Sequence, residues 1–390
     1  MTGAAMKVCY FGTYSVADGY PRNRILIKGL KLSGVIVKEC RVNLWHGSSD
    51  KVGKLFKTTG VLLNFFRILW AQVLLILKFM RVGRYDIMIV GSTGHLEIFL
   101  AKILNFISRK PVIFDAFISL YDTIVNDRKI FRKNSALASL LRWIDRTACR
   151  LADIVLLDTN AHIEYFCKEF KLPQSKFRRV FVGADDDIFF PIESQRDKIF
   201  TVLFFGSFIP LHGIEYIIGS AKILESEKEI RFVIIGTGQE SKKIYKIADT
   251  LNLVNIEFIN RFIPETELAQ YIIKADICLG IFGQTRKADI VIPCKIFNCI
   301  AMKKPVITGK TTAIKELLDD GKDAILCEPG NAEQISNAIL ALKKNPDLAK
   351  SIADSGCNKY LKTSSINVIS RIMNSILEEI RMKNSRRESA

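Results

Sequence analysis

What the 390-residue sequence lacks narrows its chemistry first. Its nine cysteines, scattered from Cys9 to Cys357, form no C-x-x-C and no Cys/His pairing at zinc spacing, so they read as the reduced thiols of a cytosolic protein, without disulfides or structural zinc. No G-x-G-x-x-G follows the first strand, which argues against a nicotinamide dehydrogenase. No Asp-x-Asp cluster is positioned for a divalent metal, since the DDD at 185–187 reads as the start of a linker; neither metal nor cofactor is expected. The opening MTGAAMKVCYFG has no basic segment followed by a long apolar run. It does not read as a secretory signal, and the mature chain is expected to begin at Met1 or Met6.

What is present describes a folded protein. Hydrophobic residues make up 49% and charged residues 25%, which excludes a disordered, collagen-like or coiled-coil chain. The length favours two domains. Lysine and arginine outnumber aspartate and glutamate 57 to 40, a net charge of +17, so an anionic partner is expected: nucleic acid, acidic lipid or a phosphorylated small molecule. Residues 1–197 carry 30 basic and 18 acidic side chains, and the remainder 27 and 22. The excess is not gathered into a recognisable reading element, which disfavours nucleic acid.

Short β-branched runs alternate with longer amphipathic stretches, the pattern of βα units and a parallel sheet. Six strands are predicted at 7–12, 36–43, 86–92, 111–117, 153–159 and 178–185, and six more at 201–208, 231–238, 255–262, 276–282, 305–309 and 324–329. Two sheets follow, with a linker in FFPIESQRDKIF (189–200). The expected domains are 1–190 and 198–363, followed by a C-terminal helix and tail at 364–390 that packs back across the first domain. Ligands of open parallel sheets bind beyond the carboxyl ends of the strands, so function is sought in those loops.

VLLNFFRILWAQVLLILKFM (61–80) is nearly long enough to span a bilayer but is interrupted by Asn64, Arg67, Gln72 and Lys78. At about 100° per residue these polar groups share one side, with Lys54, Lys57 and Arg81. The remaining apolar arc, with Phe65, Phe66, Leu69, Trp70, Leu74 and Phe79, is far wider than packing on one sheet requires. A helix near 54–81 lying in a membrane interface is the favoured reading. Burial between the sheet and a neighbouring helix is the alternative, and Arg67 and Lys78 argue against a span.

Three loops of the second half carry the anion-binding features. In TVLFFGSFIPLHGIEYIIGSA, Gly206 after the strand lets backbone amides approach a ligand, and the helix after Gly213 offers free N–H groups and a positive dipole end. IIGTGQE repeats the turn with Gly236 and Gly238, a pattern that by itself is more often a plain tight turn than a binding loop. In FGQTRKADIVIPCKIFNCIAMKK a polar loop with Arg286 and Lys287 leads through Pro293 to a helix with Lys295 in its first turn. A lysine there opposes the helix dipole and asks for an anionic partner, although a solvated surface lysine is the simpler reading.

The order GSFIPLHG, IIGTG, PETEL, KADICLGIF, IPCKIF, AMKKPVIT, TAIKEL and DGKDAILCEPG resembles the nucleotide-sugar half of the retaining group 1 (family four) glycosyltransferases of GT-B fold. KPVIFDAFISLYDT and ADIVLLDTNAH look like the matching stretches of the acceptor domain. The resemblance implies an α/β fold of two facing Rossmann-like domains. It implies that Gly206, Ser207, His212, Arg286, Lys287 and Lys295 hold the donor diphosphate, with His212 where many relatives have lysine. Gly236, Gly238, Arg261, Asn298 and Glu316 would bind the nucleoside, and Gly12 and Thr13 would face the sugar. His95, Asp115 and Lys295 would be the catalytic groups. Relatives commonly carry two glutamates eight positions apart; the aligned residues here are Ile290 and Asn298.

The function so implied is transfer of a sugar, with retention, from a nucleoside diphosphate sugar to an acceptor on the first domain. The acceptor would be a lipid-linked or cell-surface glycan precursor, in polysaccharide biosynthesis. The chain would be cytoplasmic and peripheral on the inner face of the cell membrane. Leaving-group charge would be stabilised by Lys295, Arg286, Lys287 and His212, and the departing phosphate would take the acceptor proton. Two alternatives stand beside it: an inverting transferase with Asp115 or His95 as base, and a catalytically silent scaffold that binds a nucleotide or a partner enzyme.

Overall fold

The computed structural model describes residues 5–44, 61–193 and 198–388. The chain divides into two compact units, one comprising residues 1–182 with 366–390 and the other 183–365. The division falls at Val182/Gly183, ahead of the expected linker. Residues 184 and 186 are tied into the second unit by the Tyr360 hydroxyl, which donates to the Ala184 carbonyl at 3.3 Å and to the Asp186 carboxylate.

The first unit runs β1 (Lys7–Gly12), α1 (Pro21–Leu32), β2 (Ile36–Arg41), α2 (Val61–Phe79), β3 (Ile87–Val90), α3 (Glu97–Leu104), β4 (Val112–Asp115), α4 (Ala136–Leu151), β5 (Ile154–Leu157), α5 (Asn160–Phe170) and β6 (Phe177–Arg179). Its sheet is parallel, in the order β2-β1-β3-β4-β5-β6. IMIV, VIFD and IVLL in β3, β4 and β5 are buried at every position. Helices on both faces require such continuous apolar runs.

The second unit has β7 (Phe200–Phe205), α6 (Ile214–Ile223), β8 (Ile230–Ile235), α7 (Ser241–Thr250), β9 (Ile256–Ile259), α8 (Glu265–Lys274), β10 (Ile277–Leu279), α9 (Arg286–Ile290), α10 (Cys294–Ala301), β11 (Val306–Gly309), β12 (Ile325–Cys327), α11 (Ala332–Lys344) and α12 (Pro346–Thr363). Its parallel sheet is ordered β12-β11-β10-β7-β8-β9. All twelve predicted strands are present, six to each sheet.

The terminal helix α13 (Ile366–Glu388) returns to the first unit and packs on α1. A Cβ on Gly29 of α1 would lie 3.3 Å from Ile369 Cγ2, so the glycine sets how closely the helices approach. Arg178 of β6 donates from Nε to Glu379 of α13 at 2.8 Å.

The amphipathic helix is α2, and Lys54 and Lys57 lie outside the described residues. Its orientation differs from that of a surface helix in water. Asn64, Ala71 and Leu75 point inward, and the Gln72 amide is buried without a hydrogen-bond partner. Phe66, Leu69, Trp70, Val73 and Leu77 point outward, together with Arg67 and Lys78. The polar side is thus split: Asn64 and Gln72 face the domain, while Arg67, Lys78 and Arg81 are exposed with the apolar residues. Among the described residues no helix is long and apolar enough to cross a membrane.

Candidate functional site

In the second unit β7 lies between β10 and β8, so the connections leaving β7 and β10 diverge and open a crevice at the strand ends. Gly206 ends β7 with φ +142°, and the next loop makes a 3-10 turn at Pro210–His212 before Gly213 starts α6. The loop after β10 closes on it: the Phe282 N–H donates to the His212 carbonyl at 3.0 Å. A Cβ on Gly213 would sit 2.5 Å from the Gly283 nitrogen, so only glycine permits this crossing. Ala288 of α9 packs with Leu211 and Ile281 behind it.

Three sequence-predicted residues converge there. A Cβ on Gly206 would meet Lys295 Nζ at 3.0 Å and His212 Cε1 at 3.1 Å. Lys295, the second residue of α10, is 5% exposed, and its Nζ has no hydrogen-bond partner. The ammonium lies over the Phe204 ring, and burial pushes its pKa well below the ordinary lysine value. His212 is buried and its Nδ1 meets the Ser207 carbonyl. A carbonyl can only accept, so Nδ1 carries a proton. A buried cation without a counter-charge, beside an open glycine and the start of α6, forms a place for an anionic group.

Gly236 and Gly238 act through the backbone. A Cβ on Gly236 would lie 2.0 Å from the Gly206 carbonyl oxygen, and one on Gly238 2.6 Å from that of Phe208. They let the β8 loop press against the β7 loop and so shape it. Asn298 stands one turn beyond Lys295 in α10, buried. Arg286 is exposed at the start of α9, and Lys287 beside it is buried. Arg261 follows β9 on the surface, donating to Glu267 from Nη1 at 3.1 Å. Glu316 is half-buried in the turn Ile314–Glu316.

Ile290 is buried, and the neighbouring carboxylate has a different task. Asp289 accepts from the Thr312 N–H at 2.8 Å and the Thr312 hydroxyl at 2.9 Å, pinning α9 to the loop after β11. Sequence reasoning passed over it because the aligned position was Ile290.

In the first unit the sheet order places the crevice between β1 and β3. Gly12 (φ +139°) ends β1, and the Asn23 side chain joins the two loops. It donates to the Ser92 and Ser15 carbonyls at 2.7 and 3.3 Å and accepts from the Ser92 N–H at 3.0 Å. The Thr13 hydroxyl donates to Glu97, a buried carboxylate at the start of α3. Burial raises the Glu97 pKa, partly opposed by the Thr13 hydrogen bond. His95 is buried with Nε2 3.3 Å from Asp145 Oδ1, its ring edge-on to Phe114. Asp145 also accepts from the Ser119 hydroxyl at 2.6 Å and from the Leu120 and Tyr121 amides at 3.1 and 2.9 Å.

Asp115 does not fit the proton-accepting role. It is fully buried, and both its oxygens accept from Arg22, at 3.1 Å each from Nε and at 2.8 Å from Nη2. Arg22 also donates to the Val180 and Phe181 carbonyls. The pair ties α1 to β4 and the strand end after β6. Glu97, Asp145 and Arg22 are the residues that sequence reasoning missed. Glu97 had one signal, its place two residues after His95 in GSTGHLE; the partner positions of Arg22 and Asp145 lie 93 and 50 residues away and had none.

The family model for glycosyl transferases group 1 matches residues 185–359. Alpha-D-kanosaminyltransferase of Streptomyces kanamyceticus is 21% identical over 226 residues, 55% of this chain and 57% of that protein. An uncharacterised glycosyltransferase of Methanocaldococcus jannaschii is 28% identical over 154 residues, 40% of this chain and 41% of the relative. The chain thus spans about half the length of the curated relatives it matches. Among solved structures, sucrose-phosphate synthase from Thermosynechococcus elongatus superposes with a TM-score of 0.74 at 14% identity, covering 96% of this chain and 99% of the other. Anabaena HepE in complex with UDP gives 0.68 at 14% identity, covering 96% and 100%. At these identities the likeness shows the fold, which is GT-B.

Proposed function

We propose that this chain, whose residues 185–359 belong to the glycosyl transferases group 1 family, transfers a sugar from a nucleoside diphosphate sugar to an acceptor. One observation carries the reading: a buried lysine ammonium with no hydrogen-bond partner beside a glycine at the β7/β10 switch point. The charge it lacks is what a diphosphate supplies. His212 and the first turn of α6 stand ready at the same place, and Lys287 and Arg286 are the further cations of the β10 loop.

In the reaction the bond between sugar C1 and the β-phosphate oxygen breaks as the acceptor oxygen bonds to C1. Negative charge grows on the leaving diphosphate, and Lys295 stabilises it more in the transition state than in the bound donor. The acceptor proton passes to the departing phosphate oxygen, with retention at C1. A second reading, inversion with His95 as base, is favoured by its pairing with Asp145, which would orient the imidazole. Product anomeric configuration, read by NMR, separates the two.

The acceptor in this reading is a lipid-linked or cell-surface glycan precursor, met at the inner face of the membrane, where the chain is held through α2. The outward Phe66 and Trp70 support that placement. HepE was solved with UDP and with UDP-glucose, so uridine donors are the first to test, beside GDP- and ADP-sugars. Calorimetric titration should find one base preferred. Lys295→Ala should weaken diphosphate binding by about 1.5–3 kcal/mol, the range for a hydrogen bond to a charged group. Unchanged affinity would sink the assignment, and tight binding with no transfer to any acceptor would favour the silent scaffold.

A further inference from the structure

The connection β1 to β2 steps one way across the first sheet, and every connection from β2 to β6 steps the other way. Right-handed crossovers then put α1 on one face and α2, α3 and α4 together on the opposite face. The contacts agree: α2 packs on α3, and α3 on α4. The outer sides of these three helices therefore form one continuous surface.

That surface is apolar well beyond α2. Trp70 is 63% exposed on α2, Ile107 is 92% exposed just after α3, and Trp143 is 56% exposed on α4, where it stacks on Phe99 of α3 with ring centroids 6.0 Å apart. A shallow hollow lined by Phe79, Met80, Leu104 and Ile107 joins the end of α2 to the end of α3. Charge around it is predominantly positive, although Arg142 is paired with Glu169 at 2.9 Å and Lys102 lies 3.6 Å from Asp153. Residues 61–151 hold fourteen lysines and arginines against six carboxylates. Five of those six, Glu97, Asp115, Asp122, Asp127 and Asp145, are buried, leaving Asp86 as the one exposed carboxylate.

We infer that the α2–α3–α4 face as a whole, rather than one helix, docks on an anionic lipid bilayer. The proposal deepens the peripheral-membrane reading above and rests on it. Aromatic and aliphatic side chains enter the headgroup boundary, while Arg67, Arg81, Arg84 and Arg109 meet lipid phosphates. Single large apolar side chains on a surface are ordinary. A patch spread over three packed helices, with Asn64 and Gln72 on the inner side of α2, is not. An acidic protein partner would satisfy the charges but would not require so broad an apolar area.

The test is co-flotation of the full chain with phosphatidylcholine vesicles, with and without phosphatidylglycerol, for wild type, Trp70→Glu, and the pair Ile107→Glu/Trp143→Glu. All three positions are solvent-exposed, so thermal melting and nucleotide titration should remain as in wild type. Expected are binding only to the anionic vesicles, its weakening by salt, and a loss of about tenfold or more for each variant. Loss with Trp70→Glu alone overturns the three-helix face and leaves docking by α2 standing. No vesicle binding by wild type, or equal binding by all variants, overturns both. A concentration-dependent dimer abolished by the same substitutions, without vesicle binding, makes the face an interface between copies and also overturns the proposal.

Discussion

Lys295 Nζ sits 3.7 Å from the centre of the Phe204 ring, and that aromatic face is the nearest compensation for a buried ammonium with no hydrogen-bond partner. A cation–π contact offsets only part of the desolvation cost. Lys295→Met should therefore stabilise the free protein by about 1 kcal/mol, the scale of a relieved functional strain, while removing diphosphate affinity. The size of the difference depends on pH. The folded pKa lies below the unfolded one, so the cost is full below the folded value and vanishes as pH rises past the unfolded value. Urea midpoints should show the two proteins converging in strong alkali, and a variant less stable than wild type would contradict this.

Diphosphate binding should be linked to proton uptake. Burial holds the free Lys295 below its usual pKa, and an arriving anion raises it, so the complex binds more protons than the free protein between the two values. Affinity is then expected to fall as pH rises through that interval. Calorimetry of nucleotide binding in buffers of different ionisation heat measures the uptake directly, and a proton release would reverse the assignment.

Asp115 should matter for folding rather than for proton transfer. Asp115→Asn leaves the Arg22 guanidinium buried without its charge partner, which costs about 3–5 kcal/mol. Chemical denaturation measures this, and Arg22→Met in the same chain should recover part of the loss. A stable Asp115→Asn protein with only kcat reduced would restore Asp115 as a base.

Gly236→Ala should damage donor binding without touching the donor. The added methyl would fall 2.0 Å from the Gly206 carbonyl oxygen, at a φ of +134° that side chains rarely adopt. The β7 loop must shift away, at about 1–3 kcal/mol of strain. Affinity for UDP, GDP or ADP, whichever binds the wild type, should fall along with Tm, whereas Ser207→Ala should leave Tm unchanged.

The strands were legible because their signal is local. IMIV or VIFD is continuous, β-branched or aromatic, and bounded by turn residues, and no distant group is needed to read it. Gly206 and Lys295 stood out for a related reason, since each sits at a strand or helix end where backbone geometry and dipole suggest a role before packing is known, whereas His212 was named only by the family resemblance. Asp115 went otherwise. It is a charged residue at a strand end, and whether it faces a ligand or an ion partner depends on Arg22, 93 positions away, which residue spacing does not bring forward.

The α2 helix marks the same boundary. Its sequence determined that polar and apolar residues segregate, because a 3.6-residue period follows from the backbone alone. Only the tertiary structure decided that Asn64 and Gln72 turn inward and Trp70 outward, because the neighbours that choose a helix's buried face come from other parts of the chain. Likewise the one-dimensional order established two sheets and their loops, and chain folding alone set Lys295 against Gly206, eighty-nine positions away, with its charge unanswered.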